Sequence, residues 1–138
     1  MSHLVVHTDS TELVQSFIPT EAKLPVIAAI LDAFHKMNIM YCHWKSSEHL
    51  GASMLGDTDL DILFDEQSSA GAETILNNYG FKKFVSIKAR QYKDIEDFIG
   101  LDLASGKIVH VHAHFKLTLG ESYLKGYQLP VLDRKSVV

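Results

Sequence analysis

The sequence predicts an α+β domain, α/β-like in its element order, with helices packed on one side of a small mixed β-sheet. Three observations carry that prediction. An amphipathic helix pattern covers about residues 22–37, and the acidic segment Gly56-Asp57-Thr58-Asp59-Leu60-Asp61-Ile62-Leu63-Phe64 alternates as a strand does. The second half of the chain is then a series of strand patterns broken by turn residues. The order helix, strand, loop, strand, helix and three further strands suits a mixed sheet.

Taken in order, residues 1–20 form a weakly patterned lead-in, in which Asp9 and Glu12 can open a short helix that Pro19 stops. The domain proper runs over 21–132. Its first helix carries Leu24, Ile27, Ile30, Leu31, Phe34 and Met37 on one face, and Pro25 fits only its first turn. Ile39 to His43 is a short apolar strand in which Cys42 is expected to be inert core, and 44–51 reads as a loop or a single helical turn. The acidic strand follows and ends near Asp65. Ser68 or Ser69 can cap a second helix that turns Ala72, Ile75, Leu76 and Tyr79 inward and closes at Asn77, Asn78 and Gly80. Phe81 to Lys88 is a strand with Phe84, Val85 and Ile87 as core candidates. Glu96 to Leu103 forms a hairpin with Ile108 to Leu117 around the turn Ala104-Ser105-Gly106-Lys107. A short helix through Tyr123 and Leu124 is expected after Gly120, and 133–138 is expected to be a frayed tail.

Composition narrows the function classes. One domain of 138 residues buries a core without disulfides or a structural metal. The net charge of -4 supplies no global field toward nucleic acid or an anionic membrane, so any nucleotide contact must rest on local cations. Cys42 is the only cysteine, which excludes an intrachain disulfide and suggests a reducing, cytoplasmic setting. No signal-peptide pattern and no apolar run of about 20 residues is present, which argues against a membrane span.

The acidic strand is the centre of the chemistry. Alternation turns Leu60, Ile62 and Phe64 into the core and puts Asp59 and Asp61 on the other face, about 6.6 Å apart at Cα. Two unit charges about 6 Å apart repel by roughly 3 kcal/mol at an effective dielectric of about 20, so the pair calls for a cation. Mg²⁺ suits ligands that are all oxygen. The strand Val109 to Phe115 presents His110, His112 and His114 on one face. The outer two are too far apart for all three to share one metal easily, but two of them plus Asp59 or Asp61 can. A polar face of half-buried, hydrogen-bonded histidines is the bland alternative. Asp102 is a further candidate acid, although its place fits a cap for the 104–106 turn better. Lys88 and Arg90 either face a phosphate group or form a solvated loop. Trp44 either stacks on a base or, as its place beside the first strand favours, packs over that strand.

With Asp57, the acidic strand holds three carboxylates in five residues, followed at once by Ile62-Leu63-Phe64. This pattern is similar to the Asp-Ser-Asp-Ile-Asp-Leu-Leu-Val type of strand in the nucleotidyltransferase superfamily typified by DNA polymerase beta. The stretch from Tyr41-Cys42-His43-Trp44-Lys45-Ser46 to His112-Ala113-His114-Phe115-Lys116-Leu117 and Leu129-Pro130 resembles a group of bacterial nucleotidyltransferase-like domains. Members of that group precede a thymidylate-kinase-like, ATP-binding domain in longer chains. The resemblance covers about residues 25–132.

It implies a nucleotidyltransferase-like fold and metal-dependent transfer of a nucleotidyl group from a nucleoside triphosphate to an acceptor. The sequence does not name that acceptor. Asp59, Asp61 and His112 would be the catalytic set. Asp59, Asp61, His112 and His114 would be the metal ligands, for Mg²⁺ or Mn²⁺, with Zn²⁺ as the alternative. Lys45, Ser46, Ser47 and Arg90 would meet the phosphates. A kinase-like partner domain is also implied, with the chain a fragment or a stand-alone version of that longer architecture.

Two departures from the pattern matter. Trp44-Lys45-Ser46-Ser47 stands where the superfamily has a Gly-Ser turn, and the missing glycine limits close backbone approach. Aligned with the related pattern Asp-Leu-His-Trp-Arg-Leu, His112 occupies the position of the third carboxylate. An imidazole there holds Mg²⁺ more weakly and favours a borderline metal, or catalysis has been lost. The readings to separate are thus an active nucleotidyltransferase, an inactive binding domain of the same fold, and a histidine-dependent metal-binding protein.

Overall fold

The computed structural model describes residues 23–44, 49–119 and 127–128. The expected lead-in helix, the short helix through Tyr123 and Leu124, the frayed tail, and Lys45, Ser46 and Ser47 lie outside the described residues.

Helix α1 spans Pro25–Lys36. Proline takes the first helical position, where its fixed φ and missing N–H cost nothing. Ile27, Ile30, Leu31 and Phe34 recur at helical spacing and are buried. The helix stops in a Schellman turn. Asn38 takes φ 54°, Ile39 N–H donates to Phe34 O at 2.9 Å, and Asn38 N–H donates to His35 O at 3.2 Å. That turn carries the chain off the helix, so Met37 is exposed rather than on the apolar face, a correction to the sequence expectation.

Strand β1 is Tyr41–His43, shorter at its start than expected, and α2 is Leu50–Met54. Strand β2 is Leu60–Phe64, with Leu60, Ile62 and Phe64 buried as alternation requires. A single 3-10 turn, Glu66–Ser68, leads into α3, Ser69–Asn78. The expected serine cap is not made. Ser68 Oγ instead accepts from Met40 N–H at 3.2 Å, and Asp65 caps the 3-10 turn through Gln67 N–H. Ala72, Ile75 and Leu76 face inward. Tyr79, at the helix C-cap, is exposed, against expectation.

Strand β3 is only Lys82–Phe84, followed by a 3-10 turn at Lys88–Arg90, then β4, Ile95–Leu101, and β5, Ile108–His114. Phe84, Val85 and Ile87 are exposed, not core. Strand β3 is an edge strand with one neighbour, and the chain leaves the sheet after it. The residue that enters the core is Phe81, whose ring packs flat on Gly100. Two short strands, β6 (Thr118–Leu119) and β7 (Tyr127–Gln128), form a separate ladder.

The main sheet has the order β1-β2-β5-β4-β3. Its β2–β5 pair is parallel, and the other pairs are antiparallel. The expected mixed sheet is therefore present. One face carries Leu60, Ile62, Phe64, Phe98, Val109, Val111 and Ala113 into a core shared with α1, α2 and α3. The opposite face of the sheet carries Asp61, Asp97, His110, His112 and His114 together with the apolar Leu63 and Ile99.

Asp102 ties the hairpin to the helical layer. Its carboxylate accepts from Ser105 N–H at 2.9 Å and Ser105 O–H at 2.6 Å, and from Val26 N–H in the first turn of α1 at 3.0 Å. Helix α1 has no acidic residue of its own in that turn, so a carboxylate from the far end of the fold meets the N-terminal end of its dipole. The Ser105 hydroxyl hydrogen bond outweighs burial and holds the Asp102 carboxyl below its usual value. Asp102 is thus a turn and helix cap and not part of the polar face.

Candidate metal centre

The site lies on the open face of the sheet, where three central strands align their polar side chains. The register places Asp61 of β2 beside His112 of β5, and His112 beside Asp97 of β4. One residue row thus reads carboxylate, imidazole, carboxylate across three strands. The backbone that sets β2 is itself fixed. Ser53 is buried in α2, and its hydroxyl donates to Asp59 O at 2.8 Å while lying 3.0 Å from Thr58 Oγ1. Trp44 N–H donates to Asp61 O at 3.0 Å.

Asp61 Oδ1 is 3.0 Å from His112 Nδ1 and 3.3 Å from His114 Nε2. One ligand atom from each of these three residues falls within 4.8 Å of the others, so the cluster could hold a metal ion. His114 is 1% exposed, and its neighbours give the cluster a partly desolvated wall: its ring lies 4.6 Å from His112 and 6.4 Å from Trp44, centroid to centroid. Burial on that side strengthens every electrostatic contact the cluster makes. Trp44, one residue beyond β1, thus sets its ring beside His114 of β5.

Asp59 stands apart from this cluster. Contrary to expectation, Asp59 and Asp61 do not converge on one point: Asp59 Oδ1 is engaged by His110 Nδ1 at 2.9 Å, and the cluster around Asp61 does not include Asp59. His110 Nε2 meets Asp97 Oδ1 at 2.8 Å, so this imidazole is held between two carboxylates. Burial alone lowers the pKa of His110, but its hydrogen bonds to Asp97 and Asp59, with their charges, outweigh burial and raise it above 6.5.

Asp97 is the functional candidate that the sequence reading missed. The signal was available, because a hairpin closed by the 104–107 turn that pairs Leu101 with Ile108 must also pair Asp97 with His112. Alternation alone makes His110 one of three similar histidines, whereas the structure gives it a different set of partners from His112 and His114.

A cavity of about 300 Å³ adjoins the site and is lined in part by Phe84, Arg90, Tyr92, Glu96, Asp97 and His112. Arg90 therefore stands on the wall of a space that reaches the cluster, whereas Lys88 does not line it. Lys83 also lines it, and is held by Glu73 and Glu96 at 2.9 Å each. Cys42 is exposed on the same open face, next to Leu63 in register, and is not a core residue. Asp57, the first acid of the motif, pairs with Lys107 at 2.7 Å away from the cluster.

No helix among the described residues is long and apolar enough to cross a membrane. No protein-family model, curated protein or solved structure matches the chain.

Proposed function

We propose that this chain is a metal-dependent nucleotidyltransferase-like domain, holding a divalent cation at Asp61, His112 and His114 and taking a nucleoside triphosphate as donor. The observation that carries the reading is the convergence of an acidic strand with two histidines beside a cavity that Arg90 lines. The donor set tests which metal fits. Two imidazoles and one carboxylate suit a borderline cation such as Zn²⁺ or Mn²⁺, whereas Mg²⁺ prefers oxygen ligands throughout. When bound, the cation would supply Lewis-acid stabilisation of charge on phosphoryl oxygens.

The chain's own residues do the rest. Asp61 and the two imidazoles fix the position of positive charge on the rigid centre of the sheet. Arg90 offers a guanidinium to phosphate oxygens in the cavity. Lys45, Ser46 and Ser47 keep their proposed role toward phosphate on the sequence resemblance alone. A cytoplasmic setting and a kinase-like partner domain belong to the same proposal.

A second reading, the same fold binding metal and nucleotide without turnover, is favoured by one feature: Asp59 is committed to His110. Isothermal titration with ATP, CTP and dTTP, each with Mn²⁺, Zn²⁺ or Mg²⁺, tests the common part. Metal-dependent nucleotide binding supports both readings, and its absence at millimolar nucleotide overturns them. Pyrophosphate release on adding candidate acceptors favours the first, and binding with no release under any of the metals favours the second.

A further inference from the structure

His112 is the one imidazole of the cluster with a carboxylate on each side in the same residue row. Its Nδ1 lies 3.0 Å from Asp61 Oδ1, and its Nε2 points to Asp97 Oδ1 at 3.8 Å. A histidine that ligates a metal through one nitrogen carries its proton on the other. That N–H needs an acceptor to fix the tautomer, orient the ring and raise its basicity. The separation of 3.8 Å is longer than a hydrogen bond. Asp97 nevertheless shares the residue row with His112, and its Oδ1 is the carboxylate oxygen the structure places toward Nε2.

Asp97 is also held in place. It accepts from His110 Nε2 at 2.8 Å, and its side chain is 30% exposed, so the carboxylate is partly withdrawn from water.

We propose that Asp97 is a positioning residue for the metal centre: it serves as the acceptor for the Nε2–H of His112 and so presents Nδ1 to the cation beside Asp61. The inference rests on the metal reading above and adds to it a residue one strand further out. Asp97 would act through His112 rather than as a ligand of the metal. It would also explain how a centre built on imidazoles keeps enough negative charge nearby to favour a dication, since two carboxylates then share one ring.

The test uses Co²⁺ as a spectroscopic probe on the full chain. The visible ligand-field bands report the geometry of the bound ion, and titration reports affinity without any enzymatic turnover. Asp97→Ala should weaken Co²⁺ binding by about 10- to 100-fold, the range found when outer partners of metal-bound histidines are removed. Asp97→Asn keeps an acceptor oxygen without the charge, is nearly isosteric, and should fall between Asp97→Ala and the unaltered protein. Asp57→Asn removes the same charge from the acidic segment, but Asp57 pairs with Lys107 away from the cluster, so affinity should stay within about two-fold.

Two results overturn the inference while leaving the metal site standing. In one, Asp97→Ala and Asp97→Asn bind Co²⁺ as the unaltered protein does. In the other, Asp57→Asn weakens binding as much as Asp97→Asn, so that the effect is one of overall charge. If the unaltered protein takes up no Co²⁺ at millimolar concentration, the metal reading fails and this inference fails with it.

Discussion

Replacing His114 by alanine separates a metal ligand from a buried polar side chain that merely packs. The His114 side chain is 2% exposed and its Nε2 lies 3.3 Å from Asp61 Oδ1, so its loss removes a donor from a partly buried carboxylate. A cost of about 1–3 kcal/mol to the metal-free fold follows. Unfolding entropy of about 2.1 cal/mol/K per residue over 138 residues gives about 290 cal/mol/K, so the metal-free Tm should fall by roughly 3–10 °C.

The diagnostic quantity is the further shift caused by metal. Zn²⁺ or Mn²⁺ at about 100 times its Kd stabilises a one-site protein by about 2.7 kcal/mol, which raises Tm by about 9 °C. Removing one of three ligands should weaken binding by at least the upper end of the range for outer partners, about 100-fold. The same metal concentration then equals the variant's Kd and stabilises it by only about 0.4 kcal/mol, or about 1–2 °C. Differential scanning calorimetry at matched metal, each protein read against its own metal-free baseline, measures both shifts. Equal metal-induced shifts in the two proteins would show that His114 is a packing residue, and the cluster assignment would be wrong.

Further expectations concern the scaffold. Gly100→Ala would put a methyl group 2.7–2.8 Å from three atoms of the fully buried Phe81 ring. Overpacking of about 1–3 kcal/mol outweighs the roughly 0.4–1 kcal/mol gained from a stiffer unfolded chain, so urea denaturation should show a net loss of about 1–2 kcal/mol, relieved by adding Phe81→Leu. A neutral Gly100→Ala would contradict that packing. Phe98→Ala, at a position with no exposed surface between β4 and the helices, should cost about 3–5 kcal/mol by the same measurement.

Asp102→Asn should change the pH dependence of stability. A carboxyl held below its usual 3.8 stabilises the fold above that value and loses its contribution as pH falls through it. The unaltered protein should therefore lose urea resistance more steeply than the variant from about pH 5 downward, the gap between them closing, whereas parallel curves would exclude Asp102 as the source. Lys107→Ala removes an exposed pair with Asp57 and a contact to Leu55 O, and should cost less than about 1 kcal/mol.

Much of this was legible in the chain because its strongest signals are local. Pro25 and the spacing of Ile27, Ile30, Leu31 and Phe34 specify α1, and alternation in Leu60, Ile62 and Phe64 specifies which way Asp61 faces. The parts that were not legible depend on partners distant in sequence. Phe84, Val85 and Ile87 are apolar enough for a core strand, but nothing local says that β3 lies at the edge with its outer side bare. Cys42 sits among apolar residues, yet its exposure follows from the β1–β2 register. Asp59 and Asp61 are chemically alike along the strand. They part because His110 takes one and His112 with His114 takes the other, a division set by where the parallel β2–β5 pairing begins. Asp97 was hidden for a related reason. Glu96 and Asp97 are adjacent acids on opposite faces of β4, and only counting the hairpin register back from the 104–107 turn singles out Asp97 as the one beside His112.

The most direct measurement is anomalous X-ray scattering from crystals of the chain soaked in Zn²⁺ or Mn²⁺. A metal at the proposed centre gives a peak within about 2.0–2.2 Å of one atom each from Asp61, His112 and His114. A peak shared by Asp59 and Asp61 with the histidines turned away, or no peak on this face of the sheet at millimolar metal, contradicts that assignment.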